Sequence, residues 1–393
     1  MTELELPAAI DRPRPRWPAA LIGALGLIVA VELGMARAGR MNASLTAADW
    51  RRVGPAATGR AATEAEVLCL GDSQVKTGVA AVALEARLDR TAYNLGMMAA
   101  TPAGSYFVFK RALDAGARPR AIVLDAAEPQ LWSYAYRDNV ADWAELIGPA
   151  EALQLARDDR DPGLFGLFMA HYLVPSIRRR LDLRQALGDA LAEHVRTPNV
   201  PWDPVIHRQL TRNRGGLVFS PLRPKDRPDP WPDGALPGDV ARLWYRTGPF
   251  AHPTNLVYME KLLALAESRG IAVLLLVAPI HPGTLAQRER LGVDMPYLAW
   301  LRGLVERHGN VTIVDGRHSG YDYHVFIDSC HLDAEGNAAL SEALAEVIAA
   351  RLEGSGAEDR WVALPRFASS RARLAVEDLD LTVAIVTWMR TRG

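Results

Sequence analysis

Along most of the chain, short apolar runs alternate with longer stretches whose apolar residues recur at helical spacing. The runs fall at 66–70, 91–95, 121–124, 271–277 and 311–315. Each is apolar at nearly every position, the pattern of a strand covered on both faces. Helical stretches follow the first two runs, at about 75–88 and 102–115, and others at about 254–269 and 296–307 lead into the last two. A final helix opens at Asp333, a good N-cap, and runs to about Leu352, with Gly354 as its stop. This alternation predicts a three-layer α/β domain over residues 66–355, built on a five-stranded parallel sheet.

Residues 129–250 break the rhythm and read as an insertion. Its first part is rich in Leu, Ala and Arg at helical spacing. Its second part, 198–237, holds nine prolines with Trp202 and Trp231, which favours irregular structure. An insertion at the carboxyl edge of a parallel sheet suits a lid or a substrate region, and equally a packed decoration. Residues 41–65 are polar and Ala-rich, as in a linker. In the C-terminal extension, 356–393, the stretch 379–389 is apolar enough for one more strand or a docking helix.

The first forty residues form another kind of segment. Twenty residues between Arg16 and Arg37 carry one charge, Glu32, and about twenty suffice to cross the hydrocarbon core as a helix. Arg12, Arg14 and Arg16 precede the run, as in a signal sequence or signal anchor, and Ala36-Arg37-Ala38 has the form of a cleavage site. Cleaved signal and retained anchor both fit, and the anchor is preferred. Arg37, Arg40, Arg51 and Arg52 follow closely, so counting basic residues does not orient the segment.

Composition narrows the function classes. Of 393 residues, 45 are Lys or Arg and 46 Asp or Glu, a balance that argues against a nucleic-acid partner. Hydrophobic residues make up 49%, enough for a sizeable core, which sets aside disordered and collagenous classes. The two cysteines, Cys69 and Cys330, exclude a cysteine-built zinc site and leave at most one internal disulfide. A buried thiol is the preferred state of Cys69, inside a strand.

Chemistry in open parallel sheets gathers at the carboxyl ends of the strands. The first run ends in Gly71-Asp72-Ser73-Gln74. Glycine permits a tight strand-to-helix turn, and a serine there is exposed with its own amide at a helix start, where it can help bind an oxyanion. Ser73 as a simple helix cap is the plainer reading, with Asp72 holding the turn. After the fifth run comes Phe326-Ile327-Asp328-Ser329-Cys330-His331-Leu332-Asp333. Asp328 can accept from the His331 Nδ1–H, which leaves Nε2 to act as the base that a serine nucleophile needs.

Gly-Asp-Ser after the first strand and Asp-x-x-His-Leu before the last helix, in this α/β frame, resemble the SGNH/GDSL hydrolase family over residues 66–352, the insertion excepted. The resemblance implies a flavodoxin-like fold and acyl-ester chemistry. Ser73 would be the nucleophile, His331 the general base and Asp328 its orienter. Ser73 and Gly96, in Asn94-Leu95-Gly96, would supply oxyanion amides. The family's Gly-x-Asn-Asp after the third strand has no counterpart, since the segment reads Leu124-Asp125-Ala126-Ala127-Glu128-Pro129. Losing one such donor costs about 10²–10³ in rate elsewhere.

The anchor and the insertion make the chain look more like the membrane-anchored acyltransferases of alginate O-acetylation than like small secreted esterases. That resemblance implies a single-pass protein of the bacterial inner membrane with an extracytoplasmic domain, or a secreted one if the segment is cleaved. The expected partners are an acyl-ester donor and a carbohydrate acceptor, with no metal and no cofactor. A catalytically inert binding or assembly module on the same fold is the alternative, motivated by the missing asparagine. Arg246, His252 and Asn255 precede the helix before the fourth strand, and His281 follows that strand, so each is a candidate substrate contact as well as a candidate cap or surface group. His318, His324, Asp315 and Asp322 match no metal spacing.

Overall fold

The computed structural model describes residues 19–37, then 45–180 except 126, 134, 135, 137, 138 and 179, then 202–246 except 225, 227–235 and 237, then 248–354, and 359–392 except 371, 377 and 378. Arg12, Arg14, Arg16, Ala126 and Trp231 lie outside these residues.

Helix α1 (Ala19–Arg37) precedes α2 (Leu45–Ala56), α3 (Arg60–Thr63) and strand β1 (Val67–Leu70). Then come α4 (Ser73–Gly78), α5 (Ala81–Leu88), β2 (Ala92–Asn94), α6 (Pro102–Asp114) and β3 (Ala121–Asp125). The insertion contributes α7 (Glu128–Trp132), α8 (Val140–Leu146), α9 (Pro149–Asp158), α10 (Pro162–Leu173), α11 (Pro175–Arg178), α12 (Trp202–Arg212) and α13 (Gly238–Trp244). The frame resumes with α14 (Pro253–Glu267), β4 (Ala272–Val277), α15 (Pro282–Leu291), α16 (Met295–Arg307) and β5 (Val311–Asp315). It ends with α17 (Ala334–Leu352), β6 (Trp361–Ala363) and α18 (Leu379–Arg392).

All strand pairs are parallel, in the order β2-β1-β3-β4-β5-β6. Because side chains alternate across a strand, each apolar run feeds two cores. Leu68, Leu70, Ile122, Leu124, Val273, Leu275 and Ile313 pack on one face with Phe107, Tyr258 and Leu301. Val67, Cys69, Val123, Leu274, Leu276 and Val314 pack on the other with Leu84, Leu340 and Ile348. Continuous apolar runs, helices on both faces and parallel pairing are one fact seen three ways.

The sheet has six strands where five were expected. Trp361, Val362 and Ala363 pair with Ile313, Val314 and Asp315, so the C-terminal extension supplies an edge strand. Three residues are too few for a periodicity to register, and the partner strand makes them a strand. The stretch 75–88, expected as one helix, is two, α4 and α5. At the break the Ala80 N–H donates to Ser341 Oγ at 2.7 Å, and the Val79 carbonyl accepts Asn94 Nδ2 at 2.8 Å. Tertiary partners thus take groups a continuous helix would have used.

Residues 45–63 are no linker. Leu45, Asp49 and Val53 lie four apart on α2, and all three are buried. Trp50 meets Trp143 edge-on at 5.1 Å, and its Nε1 donates to the Met98 carbonyl at 2.7 Å. Lys76 Nζ and Asp49 Oδ1 form a fully buried ion pair at 2.8 Å, and Asp49 Oδ2 accepts the Met98 amide at 2.8 Å. Burial pulls the Lys76 ammonium pKa down, with Asp49 opposing.

The described insertion is helical up to Arg178, as expected, and residues 216–223 are irregular. Trp202 opens α12 rather than lying in a loop. Stretch 379–389 is helical, and Val386 docks beside Ile206, Leu217 and Phe219. Helix α1 is long and apolar enough to cross a membrane, and its apolar side chains are exposed. Its Glu32 accepts the Ser176 amide at 2.9 Å and the Ser176 hydroxyl.

Candidate active site

The sequence order reverses between β1 and β3, so the crevice at their carboxyl ends is where a parallel sheet leaves room for a ligand. There the chain turns from β1 into α4 through Gly71, at φ +134°. A Cβ on Gly71 would lie 2.3 Å from Asp125 Oδ1, so both conformation and space require glycine. Asp72 caps α4 by accepting the Gln74 amide at 2.7 Å, the turn-holding role expected of it. Ser73 is the first residue of α4, so its N–H has no acceptor within the helix.

Opposite lies the loop between β5 and α17. Asp328 Oδ1 accepts the backbone amides of Cys330 at 2.9 Å and His331 at 2.8 Å, which fixes the loop on its own side chain. Its Oδ2 meets His331 Nδ1 at 2.6 Å, and His331 Nε2 meets Ser73 Oγ at 2.8 Å. Asp333 holds the loop's far end by capping α17. Three side chains separated by up to 258 positions thus form one hydrogen-bonded line.

Its electrostatics follow from burial and pairing. Burial lowers the His331 ring, but the charges and hydrogen bonds of Asp328 and Cys330 together raise it well above the ordinary histidine range. Burial would raise Asp328, but the His331 charge and hydrogen bonds hold it below the ordinary carboxylate range. Asp328, Cys330 and His331 lie close enough to suggest a metal triad, yet both ring nitrogens are engaged by Asp328 and Ser73. Burial pushes the Cys330 thiol up to about 11 and that of Cys69 to about 12. Both are free, buried thiols.

Beneath the turn, Asp125 Oδ1 accepts the Asp72 amide at 3.0 Å. Burial, then the Asp72 charge beside it, raises the Asp125 carboxyl well above the ordinary range. Burial raises Asp72 as well, as expected for two carboxyls crowded in one site.

The other expected residues stand elsewhere. The Gly96 N–H donates to Asn94 Oδ1 at 2.8 Å, so that amide is engaged within the chain. Glycine is needed at 96 for closeness: a Cβ would lie 3.0 Å from the Lys76 backbone nitrogen. His252 caps α14, with Nδ1 accepting the Thr254 amide at 3.4 Å, and His281 caps α15 through the Gly283 amide at 3.1 Å. Burial lowers the His281 ring, which suits an unprotonated Nδ1 acceptor. Arg246 is exposed and stacks over Trp132 at 4.4 Å. Asn255 is fully buried and donates to the carbonyls of Gln130, Leu131 and Ser133, pinning α7 to α14. His281 lies against the loop: its amide donates to the Ser329 carbonyl at 3.0 Å, its ring stands edge-on to Phe326 at 5.8 Å, and the Asp328 charge acts on it against burial.

A cleft of about 40 Å³ opens beside the turn, lined by Gln74, Ala127, Glu128, Trp244, Leu276 and Arg288 among others. Arg288, only 3% exposed, joins Glu128 to Asp294 and donates to the Trp244 carbonyl, tying the ends of the insertion to α15. Sequence reasoning missed this hub, because its members are up to 166 positions apart and no local pattern links them. It missed Gln74 as well, whose adjacency to Ser73 was the available signal. Comparison with known proteins is silent: the chain matches no protein-family model and no curated sequence.

Proposed function

We propose that the protein is a membrane-anchored, extracytoplasmic serine esterase or O-acyltransferase of the SGNH/GDSL type. One observation carries this reading: the line Ser73 Oγ–His331 Nε2–Asp328 at 2.8 and 2.6 Å, sited at the carboxyl edge of a parallel sheet. The strand order β2-β1-β3-β4-β5 is that of flavodoxin-like folds and agrees with it.

Ser73 Oγ attacks the acyl carbonyl carbon while His331 Nε2 takes its proton, and the carbonyl π electrons move to oxygen. The oxyanion is met by the Ser73 amide at the start of α4. Collapse expels the alkoxide, which recovers the proton from His331 and leaves an acyl-enzyme. A sugar hydroxyl or water, deprotonated by His331, then takes the acyl group, and the departing Ser73 Oγ recovers that proton from His331. Asp328 holds the ring so that Nε2 faces Ser73 throughout.

A fluorophosphonate probe on the full-length protein tests the reading. Labelling at Ser73 that disappears in Ser73→Ala supports it, and an unlabelled wild type sinks it. Incubation with acetyl-ester donors, followed by mass spectrometry of the Ser73 peptide, separates donors and shows whether water or a sugar accepts. Two observations favour an inert binding module instead: the absent asparagine and the engaged Gly96 amide. That module would function normally as Ser73→Ala.

A further inference from the structure

We infer that the Gln74 side-chain amide is an oxyanion donor, filling the role for which the segment after β3 has no asparagine. The inference rests on the acyl-ester reading above and deepens its site. A tetrahedral oxyanion is stabilised by donors aimed at it in place of water, and removing one of them costs about 10²–10³ in rate. The Ser73 amide provides one. Gly96 N–H, the next expected, is bonded to Asn94 Oδ1, and Met97 N–H is bonded to the Gly71 carbonyl. The Gln74 backbone N–H is taken by Asp72. Among the described donors at the turn, Gln74 Nε2 remains without an acceptor.

Three features single it out. The residue is 7% exposed, and its Nε2 is fully buried with no acceptor. An amide N–H left unpaired in a protein interior is unfavourable, so its retention calls for a partner that arrives with substrate. It immediately follows the nucleophile, on the first turn of α4. And it lines the cleft together with Ala127, in the segment 124–129 where a short side chain stands in place of an amide-bearing one. A small residue after β3 and a longer amide after Ser73 thus bring one carboxamide to the cleft beside that segment.

The donor stabilises charge that exists only in the transition state, so its loss should lower kcat and leave KM nearly unchanged. Gln74→Met keeps the length and removes the donor, while Gln74→Glu keeps the shape and substitutes a carboxylate. For hydrolysis of an activated acetyl ester by the full-length protein, both variants should lose about 10²–10³ in kcat. Because the amide makes no internal hydrogen bond, Gln74→Met should unfold at the same temperature as wild type or higher, which a structural role would not allow.

Wild-type kcat within about threefold in both variants, or a loss confined to KM, overturns the inference while Ser73 labelling keeps the acyl-ester reading intact. A wild type that neither turns over the ester nor labels at Ser73 overturns both. If Gln74→Met does not fold, Gln74→Glu decides by the same kcat criterion.

Discussion

Two kinds of histidine stand at the carboxyl edge of this sheet, and they use Nδ1 in opposite ways. His331 directs its Nδ1–H at the Asp328 carboxylate, which accepts a hydrogen bond from it, and is left with Nε2 facing Ser73. His281 and His252 turn Nδ1 toward a backbone amide two residues ahead, which donates to it. An Nδ1 that accepts cannot carry the proton, so each of those rings closes a helix-opening turn. The difference lies in the neighbour: a carboxylate three residues back makes a base, and a free helix N–H makes a cap.

The contrast is broken most severely at Ser73. Ser73→Ala removes the atom to which the acyl group would bond, and ester turnover should fall by about 10⁴–10⁶ with the fold intact, as read by initial rates and thermal unfolding together. Asp328→Asn should cost about 10⁴, because an amide no longer selects the Nδ1–H tautomer. It should also move the pH profile. In wild type, kcat/KM rises as His331 loses its proton, along a limb lying above the ordinary histidine range of about 6.5. Without the Asp328 charge, burial is opposed by Cys330 and no longer by a carboxylate, and the limb shifts to lower pH. An unshifted limb would remove His331 from the role of base.

The same pair contributes to stability with a definite sign. His331, raised in the folded protein, stabilises below its unfolded pKa, and that contribution is lost as pH rises through its folded pKa. Asp328, lowered, stabilises above its unfolded pKa and loses that contribution as pH falls through its folded value. Denaturant midpoints across pH for wild type and Asp328→Asn check both limbs.

Next in size is a group outside the site. Asp49→Ala leaves the Lys76 ammonium buried without its partner and should destabilise by about 3–5 kcal/mol in urea unfolding. The smallest effects belong to the caps. His252→Ala should cost about 0.5–2 kcal/mol of stability and leave ester turnover unchanged, as loss of an N-cap does. A large loss of turnover there would erase the distinction between the two kinds of histidine.

Much of the frame was legible along the chain. The five predicted strands, the Asp333 cap and the Gly-Asp-Ser turn follow from burial on both strand faces and from helix-end chemistry, which act within about ten residues. Ser73, Asp328 and His331 could be named from two short motifs. Residues 45–63 and 361–363 were misread for one reason: each is polar or short on average and becomes part of the core only through partners far along the chain. Trp50 needs Met98 and Trp143, and Trp361 needs Ile313.

What the sequence alone determined is therefore the class of fold and the residue types at its strand ends, because periodicity and capping are local. Tertiary structure decided which of those residues meet. It brought His331 to Ser73 across 258 positions, turned Gly96 toward Asn94, made His252 and His281 into caps, and buried the Gln74 amide without an acceptor. Hydrogen bonds reach about 3 Å, and only the closing of the sheet brings such distant groups within that range.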